Sequence, residues 1–298
     1  MQRSNPKMTQ DILQRFLFDT APVRGEIVRL SDAWQHVLQR RDYPPVLQKL
    51  LGELMAAAAV MTAMLKFEGS LIMQLHGKGH IKLMVIECES DLTMRATARW
   101  NEDEEVPDLP LAELLGEGRF VITLDPRSGG QTYQGIVGLS GNSVAAIIEH
   151  YMLSSEQLDT RLWLACENGV AAGFMLQKLP AGQGDPHAWE HLTTLADTIT
   201  PTELASLPPR DLLYRLFHQE AVRVMTEEHP HFGCRCTREK VGGMLKMMGR
   251  AEAESVIAER GAVDVNCDFC NQHYRFDAVD VAQLFTSDST QTAPDTRH

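Results

Sequence analysis

Four cysteines near the C-terminus carry the clearest chemistry: Cys234 and Cys236 form a CxC, and after the 30 residues 237–266 Cys267 and Cys270 form a CxxC. Thiolates are soft anionic donors, and a tetrahedral zinc ion with bonds of ~2.3 Å needs sulfurs a little under ~4 Å apart, which two tight cysteine turns supply. The spacing predicts one closed site per chain, zinc held by Cys234, Cys236, Cys267 and Cys270. Four protein ligands leave no position for water or substrate, so such an ion is structural or regulatory and not a Lewis acid. Gly233 is expected to free the backbone ahead of the first pair, and Asn271 to adopt the left-handed conformation such turns use. The plain alternative is four unligated thiols.

The same sulfurs have a second chemistry. An oxidant converts a thiolate to sulfenic acid, which a nearby thiol condenses with to a disulfide. Each cysteine here has a resolving partner two or three residues away, so oxidation favours Cys234 with Cys236 and Cys267 with Cys270. Disulfides do not hold zinc as thiolates do, so peroxide or hypochlorous acid becomes metal loss. The unit that would feel this is small, about 60 residues after Phe232, and domains of this size have little core. It reads as helices over 238–248 and 252–260, a hairpin over 263–276 carrying the second pair, a last helix over 278–285 and a polar tail from Ser287. Gly242, Gly243 and Gly249 are expected to weaken its first helix.

The elements upstream must be positioned against this switch. Residues 11–18 and 23–30 alternate as strands; Ser31 is placed to cap a short helix; a long helix spans 46–65 with Leu47, Leu50, Leu51, Leu54 and Met55 at helical spacing. Met55, Met61 and Met64 suit either an adaptable binding surface or a helix packed on a sheet. Strands follow over 70–75, 81–88, 94–100, 120–124 and 133–139, then a helix from Asn142 or Ser143 to Ser154, then strands over 160–166 and 173–178. The fold class is α+β: a largely antiparallel sheet domain with helices over 1–179, a helical linker over 180–232 and a zinc-binding domain over 233–298. Past the joint Ala181–Pro186 the linker is cut by prolines into short amphipathic pieces: Trp189, Leu192 and Leu195; the capping box Thr200–Glu203; Leu212, Leu213, Leu216 and Phe217. Isolated helices this short are marginal in water, so they must dock, and the first domain is the expected host. The segment reads as a detachable cover.

Composition bounds the partners. With 28 Lys and Arg against 40 Asp and Glu, the formal net charge of -12 opposes a phosphate backbone, so no nucleic-acid partner is expected. The most apolar run, Leu54–Leu65, is too short for the ~20 residues of a membrane span. Residues 1–10 are polar and lack a signal-peptide core, which sets the expectation of a cytoplasmic protein where closely spaced cysteines are metal or redox sites. Cys88 and Cys166 fall on strands and read as core. His187, Glu190 and His191 fit HxxEH, but in a proline-flanked linker with no evident third ligand. His229 and His231 offer nitrogen in place of a thiolate but read more simply as a solvated loop, and Gly77–Gly79 is a weak phosphate-loop signal. A thioredoxin-like oxidoreductase would want its CxxC beside a βαβ unit, and a zinc-ribbon interaction module remains compatible with the spacing.

Several of these stretches together are specific. Val23-Arg24-Gly25-Glu26, Asp42-Tyr43-Pro44, Leu65-Lys66-Phe67-Glu68-Gly69, residues 133–139 and 155–162, and the two cysteine pairs resemble the 33 kDa chaperonin family of redox-regulated heat-shock holdases, over nearly the whole chain. The resemblance implies zinc on Cys234, Cys236, Cys267 and Cys270, and in the oxidised form the disulfides Cys234–Cys236 and Cys267–Cys270. It further implies a reduced, zinc-loaded and inactive monomer. In the scheme the resemblance implies, oxidation with unfolding stress releases the metal, exposes apolar surface, favours a homodimer and yields an ATP-independent binder of unfolding client proteins. On this reading the protein is not an enzyme.

Overall fold

A computed structural model describes residues 10–66, 68–127, 129–180 and 187–286. The chain divides into two compact units, 1–233 and 234–298. The joint Ala181–Pro186 and the tail from Ser287 lie outside the described residues.

The first unit is built around one helix. Strands β1 (Ile12–Phe18) and β2 (Val23–Leu30) lead into α1 (Asp32–Leu38) and α2 (Pro45–Thr62). Then come β3 (Gly69–Gly77), β4 (Ile81–Glu89), β5 (Thr93–Trp100), α3 (Leu111–Leu115), β6 (Gly118–Pro126), β7 (Tyr133–Gly138), α4 (Val144–Ser154), β8 (Thr160–Glu167) and β9 (Val170–Lys178). Next are α5 (Ala188–Ala196), α6 (Pro201–Ser206), α7 (Pro209–Phe217), β10 (Val222–Glu228) and β11 (His231–Phe232). The strands form two sheets, ordered β10-β1-β2-β9-β8 and β11-β5-β4-β3-β6-β7. All pairings are antiparallel except β11 on β5.

Helix α2 lies between the sheets, touching β2, β8 and β9 of one and β3, β4 and β5 of the other. Every residue from Leu50 to Thr62 is therefore buried. The alanines Ala56–Ala59 let two sheets close on one helix: the Ala56 methyl stands 3.3 Å from where a Cβ on Gly173 would lie. Met55 and Met61 are core and not surface, which settles the packing alternative for that pair. No helix among the described residues is long and apolar enough to cross a membrane.

The outer face of the first sheet is covered by the linker. Phe16, Phe18, Val23, Ile27, Phe174 and Leu176 pack against Leu192, Ala196, Leu204, Leu212, Leu213, Leu216 and Phe217. Phe217 is the centre of this contact, edge-on to Phe18 with centroids 5.0 Å apart, and 6.4 Å and 6.2 Å from Phe16 and Phe174. Gly25 makes room for the Phe16 ring, because a Cβ there would fall 2.1 Å from Phe16 Cζ. The Thr200–Glu203 capping box forms as its sequence predicts.

Three expectations need correction. Ser31 makes no side-chain cap: the α1 N-terminus is held by the Asp11 carboxylate, which accepts from the backbone N–H groups of Ser31 (2.5 Å), Asp32 (2.9 Å) and Ala33 (2.7 Å). Asp11 accordingly lies just before β1 and not in it. The linker is not wholly helical, since β10 pairs along β1 and so completes the sheet that the helices cover. Gly233, expected to free the backbone, takes no positive φ; its missing side chain serves packing, because a Cβ would meet Thr93 Cγ2 at 2.4 Å.

The second unit comprises α8 (Arg238–Met248), α9 (Arg250–Arg260), the hairpin β12 (Val263–Asn266) and β13 (His273–Phe276), and α10 (Ala278–Thr286). Its buried core is Val241, Leu245, Ala253, Val263, Phe276 and Val281. Gly242 serves packing at some cost to helix propensity, for a Cβ there would stand 2.8 Å from Leu284 Cδ2. Gly249, at φ 101°, separates α8 from α9.

Candidate metal centre

Two turns of the second unit present the four cysteines. The first runs into α8, whose N-cap Thr237 accepts a hydrogen bond from the Lys240 N–H and so fixes the chain just after Cys236. The second closes the β12–β13 hairpin: Cys267 N–H donates to the Gln272 carbonyl (3.0 Å) and Asn271 N–H to the Cys267 carbonyl (2.8 Å). Asn271 takes φ 59°, the left-handed conformation its type suggests. A strand pair thus carries Cys267 and Cys270 at the tip of a tight loop.

All four sulfurs are half-buried and lie within 4.8 Å of one another. Cys234 Sγ is 3.7 Å from Cys267 Sγ, and Cys236 Sγ is 3.2 Å from Cys270 Sγ. A tetrahedron of ~2.3 Å bonds has edges a little under ~4 Å, so the set is the right size for a four-coordinate ion. An all-sulfur set selects zinc or iron–sulfur chemistry over magnesium or calcium. The surroundings also suit anionic sulfur. Backbone N–H groups of Cys270 and Phe269 point to Cys267 Sγ, and that of Gln272 to Cys270 Sγ. Without a cation, burial pushes both thiols up; a bound cation opposes that desolvation and favours the thiolate. The four cysteines could hold a metal ion, and their donor chemistry is consistent with zinc.

Tyr274 is a residue the sequence reading missed. Its hydroxyl donates to Cys236 Sγ over 3.2 Å, and that bond, more than burial, pushes the phenol up to about 12. The available signal was hairpin alternation, since Tyr274 is four residues beyond Cys270 on the strand the turn opens into.

Other candidates resolve differently. Among the described residues, the four cysteines are the one group of three or more His, Cys, Asp or Glu side chains fit for a metal. In the HxxEH stretch, His191 Nε2 lies 3.0 Å from Glu220 Oε1. His229 Nδ1 lies 3.0 Å from the Asp11 carbonyl and His231 Nε2 3.0 Å from Thr93 Oγ1, so both are engaged in the first unit. The Gly77–Gly79 loop cannot cradle a phosphate, because the N–H groups of Lys78 and Gly79 both donate to the Leu115 carbonyl. Cys88 is fully buried and Cys166 half-buried, and burial pushes each thiol up to about 12, which leaves little nucleophilic thiolate.

The chain matches the family model described as Hsp33 protein over residues 11–277. It is 52% identical to a 33 kDa chaperonin of Chromobacterium violaceum, over 97% of this chain and 98% of that protein. It is 49% identical to a 33 kDa chaperonin of Methylobacillus flagellatus, over 97% and 99%. The crystal structure of the 33 kDa chaperonin (heat shock protein 33 homolog) of Thermotoga maritima superposes with a TM-score of 0.80, covering 94% of this chain and 99% of that one. At 23% identity that likeness speaks for the fold.

Proposed function

The chain belongs to the Hsp33 family, and from that premise we propose that it is a chaperone of the holdase type, ATP-independent and switched on by oxidation. The observation that carries the switch is the meeting of four cysteine sulfurs in a unit whose buried core is six side chains.

Zinc, when bound, would tie the two cysteine turns together and keep their sulfurs as thiolates. Cys234, Cys236, Cys267 and Cys270 are its ligands in this reading, one ion per chain. Peroxide or hypochlorous acid takes two electrons from one thiolate, giving a sulfenic acid; the neighbouring thiolate attacks that sulfur, hydroxide leaves and an S–S bond forms. Two such events pair Cys234 with Cys236 and Cys267 with Cys270. Since each sulfur has the other three within 4.8 Å, the pairing follows from loop length and family membership more than from proximity. Once paired, the sulfurs no longer form an anionic ligand set and the second unit loses its tie.

The remainder of the proposal concerns the cover. Residues 1–179 bind clients, 180–232 form a metastable cover and 233–298 sense the oxidant. Helices α5 to α7 mask Phe16, Phe18, Ile27 and Phe174, an aromatic and aliphatic surface suited to unfolding proteins. The reduced form is a monomer with this surface masked; the oxidised form exposes it, dimerises and holds clients. A reducing compartment such as the cytoplasm provides the resting state, and no catalysis is required.

Titrating hypochlorous acid while following zinc release, disulfide mapping and suppression of client aggregation without ATP tests the whole reading. Holding activity should rise with metal loss and revert on reduction. Equal activity in the reduced, metal-loaded protein would overturn the switch.

A further inference from the structure

The second sheet ends in an unusual strand. β7 (Tyr133–Gly138) pairs with β6 on one side, and among the described residues no backbone group bonds to its other side. Proteins ordinarily protect such a strand with charge, proline or a bulge, because its free N–H and C=O groups template further pairing. Here no charged residue occurs between Arg127 and Glu149. The other outer strands differ: β10 carries Arg223, Glu227 and Glu228, β8 carries Arg161 and Glu167, and β11 has only two residues. Ile136 on β7 is 58% exposed and Tyr133 46%. Tyr133 also lines a cavity of about 300 Å³ with Leu124, Tyr151, Met152 and Leu158.

We propose that the free side of β7 is a second client-binding site, which takes an extended, uncharged segment of non-native polypeptide as an added strand; this rests on the holdase reading. Backbone groups in a row fit only an extended chain, and they bind it with little regard to side chains. The lack of charge removes a further filter. A second copy of this chain fits less well, since a six-residue strand buries far less than the ~1,200 Å² of a stable interface. Alone the strand binds weakly. Joined by the same client to the surface under α5–α7, it gains from the high local concentration that tethering gives.

The test uses the full chain, oxidised, with a chemically denatured globular protein as client. Amide exchange at 133–138 should slow when client is bound. The exposed substitutions Ile136→Lys and Gln134→Lys should each weaken holding about five-fold, because a charge on an edge strand opposes further pairing, without altering metal release. An uncharged ten-residue peptide should compete, and the same peptide N-methylated at alternate residues should not. Unchanged β7 exchange in a wild-type complex that still holds client overturns this site and leaves the holdase reading standing. A fall in dimer content in Ile136→Lys without client also overturns it, in favour of a second copy. If the oxidised wild type holds no client at all, the holdase reading fails first.

Discussion

The two units achieve order on different terms. In the first, a helix buried on every side from Leu50 to Thr62 joins two sheets, and the core runs through side chains of both. In the second, Val241, Leu245, Ala253, Val263, Phe276 and Val281 form the buried core cluster, and Ala262 is buried beside them in sequence. So small a core gives the second unit little stability of its own. On the proposed function, oxidant sensitivity falls where the fold has least of its own support, and client surface where it has most.

The largest expected effect breaks the comparison outright. Chelating the metal from the reduced protein should unfold the second unit while the two sheets around α2 stay folded, because structural zinc provides ~10–16 kcal/mol of apparent binding free energy in small domains. Amide protection along α2 should hold while protection in α8–α10 and their far-ultraviolet helix signal fall. Retained helix and amide protection after 234 would show that the small core suffices.

Next is the cover. Phe217→Ala removes the ring seated on Phe16, Phe18 and Phe174 and should cost about 3–5 kcal/mol of cover stability. Reduced Phe217→Ala protein should then hold clients while keeping its metal, which separates uncovering from oxidation. A variant silent until oxidised would show that the cover is held by more than this contact.

A somewhat smaller effect is confined to the first unit. Burial raises Glu26 and Glu53 to about 7, and one oxygen of Glu26 has no hydrogen-bond partner. Because the folded values exceed the unfolded ones, the folded state holds these protons more tightly. The resulting stability is complete below the unfolded values near 4.5 and is lost as pH rises through about 7. Glu26→Gln should remove about 3 kcal/mol of that decline, measured as denaturant midpoints from pH 5 to 8. An unchanged slope would mean that Glu26 is ionised throughout.

The smallest effect sharpens the metal centre. Tyr274→Phe deletes the hydroxyl on Cys236 Sγ and should weaken metal retention about five-fold in competition with a chelator, leaving the fold intact. No change would reduce Tyr274 to a packing role.

Local signals were legible in the sequence. The alternation of 23–30, the Thr200–Glu203 box and the stripe Leu212, Leu213, Leu216 and Phe217 each depend on neighbours a few residues apart, and each appears where expected. The cysteine spacing likewise announced a cluster before any geometry was known. What escaped depends on distant partners. Nothing near Ser31 says that Asp11, twenty residues earlier, will occupy its cap position. Nothing in Val222–Glu228 names β1 as its mate, although the alternation of Val222 and Val224 with Arg223 was a strand signal overshadowed by the prolines before it. Gly233 illustrates a third kind of miss: the residue type was noticed, but its reason is a neighbour's methyl group and not a torsion angle.

The alignment of β10 on β1 shifts between Gln14, which faces Glu227, and Phe16, which faces Val224. Such an irregularity acts like a notch in a key, since sliding the strand either way puts the bulge out of place. Under the proposed switch, a chain that has let go and is later reduced has this mark to guide it back to its former seat, so that the molecule would be reset for another round of stress instead of being spent.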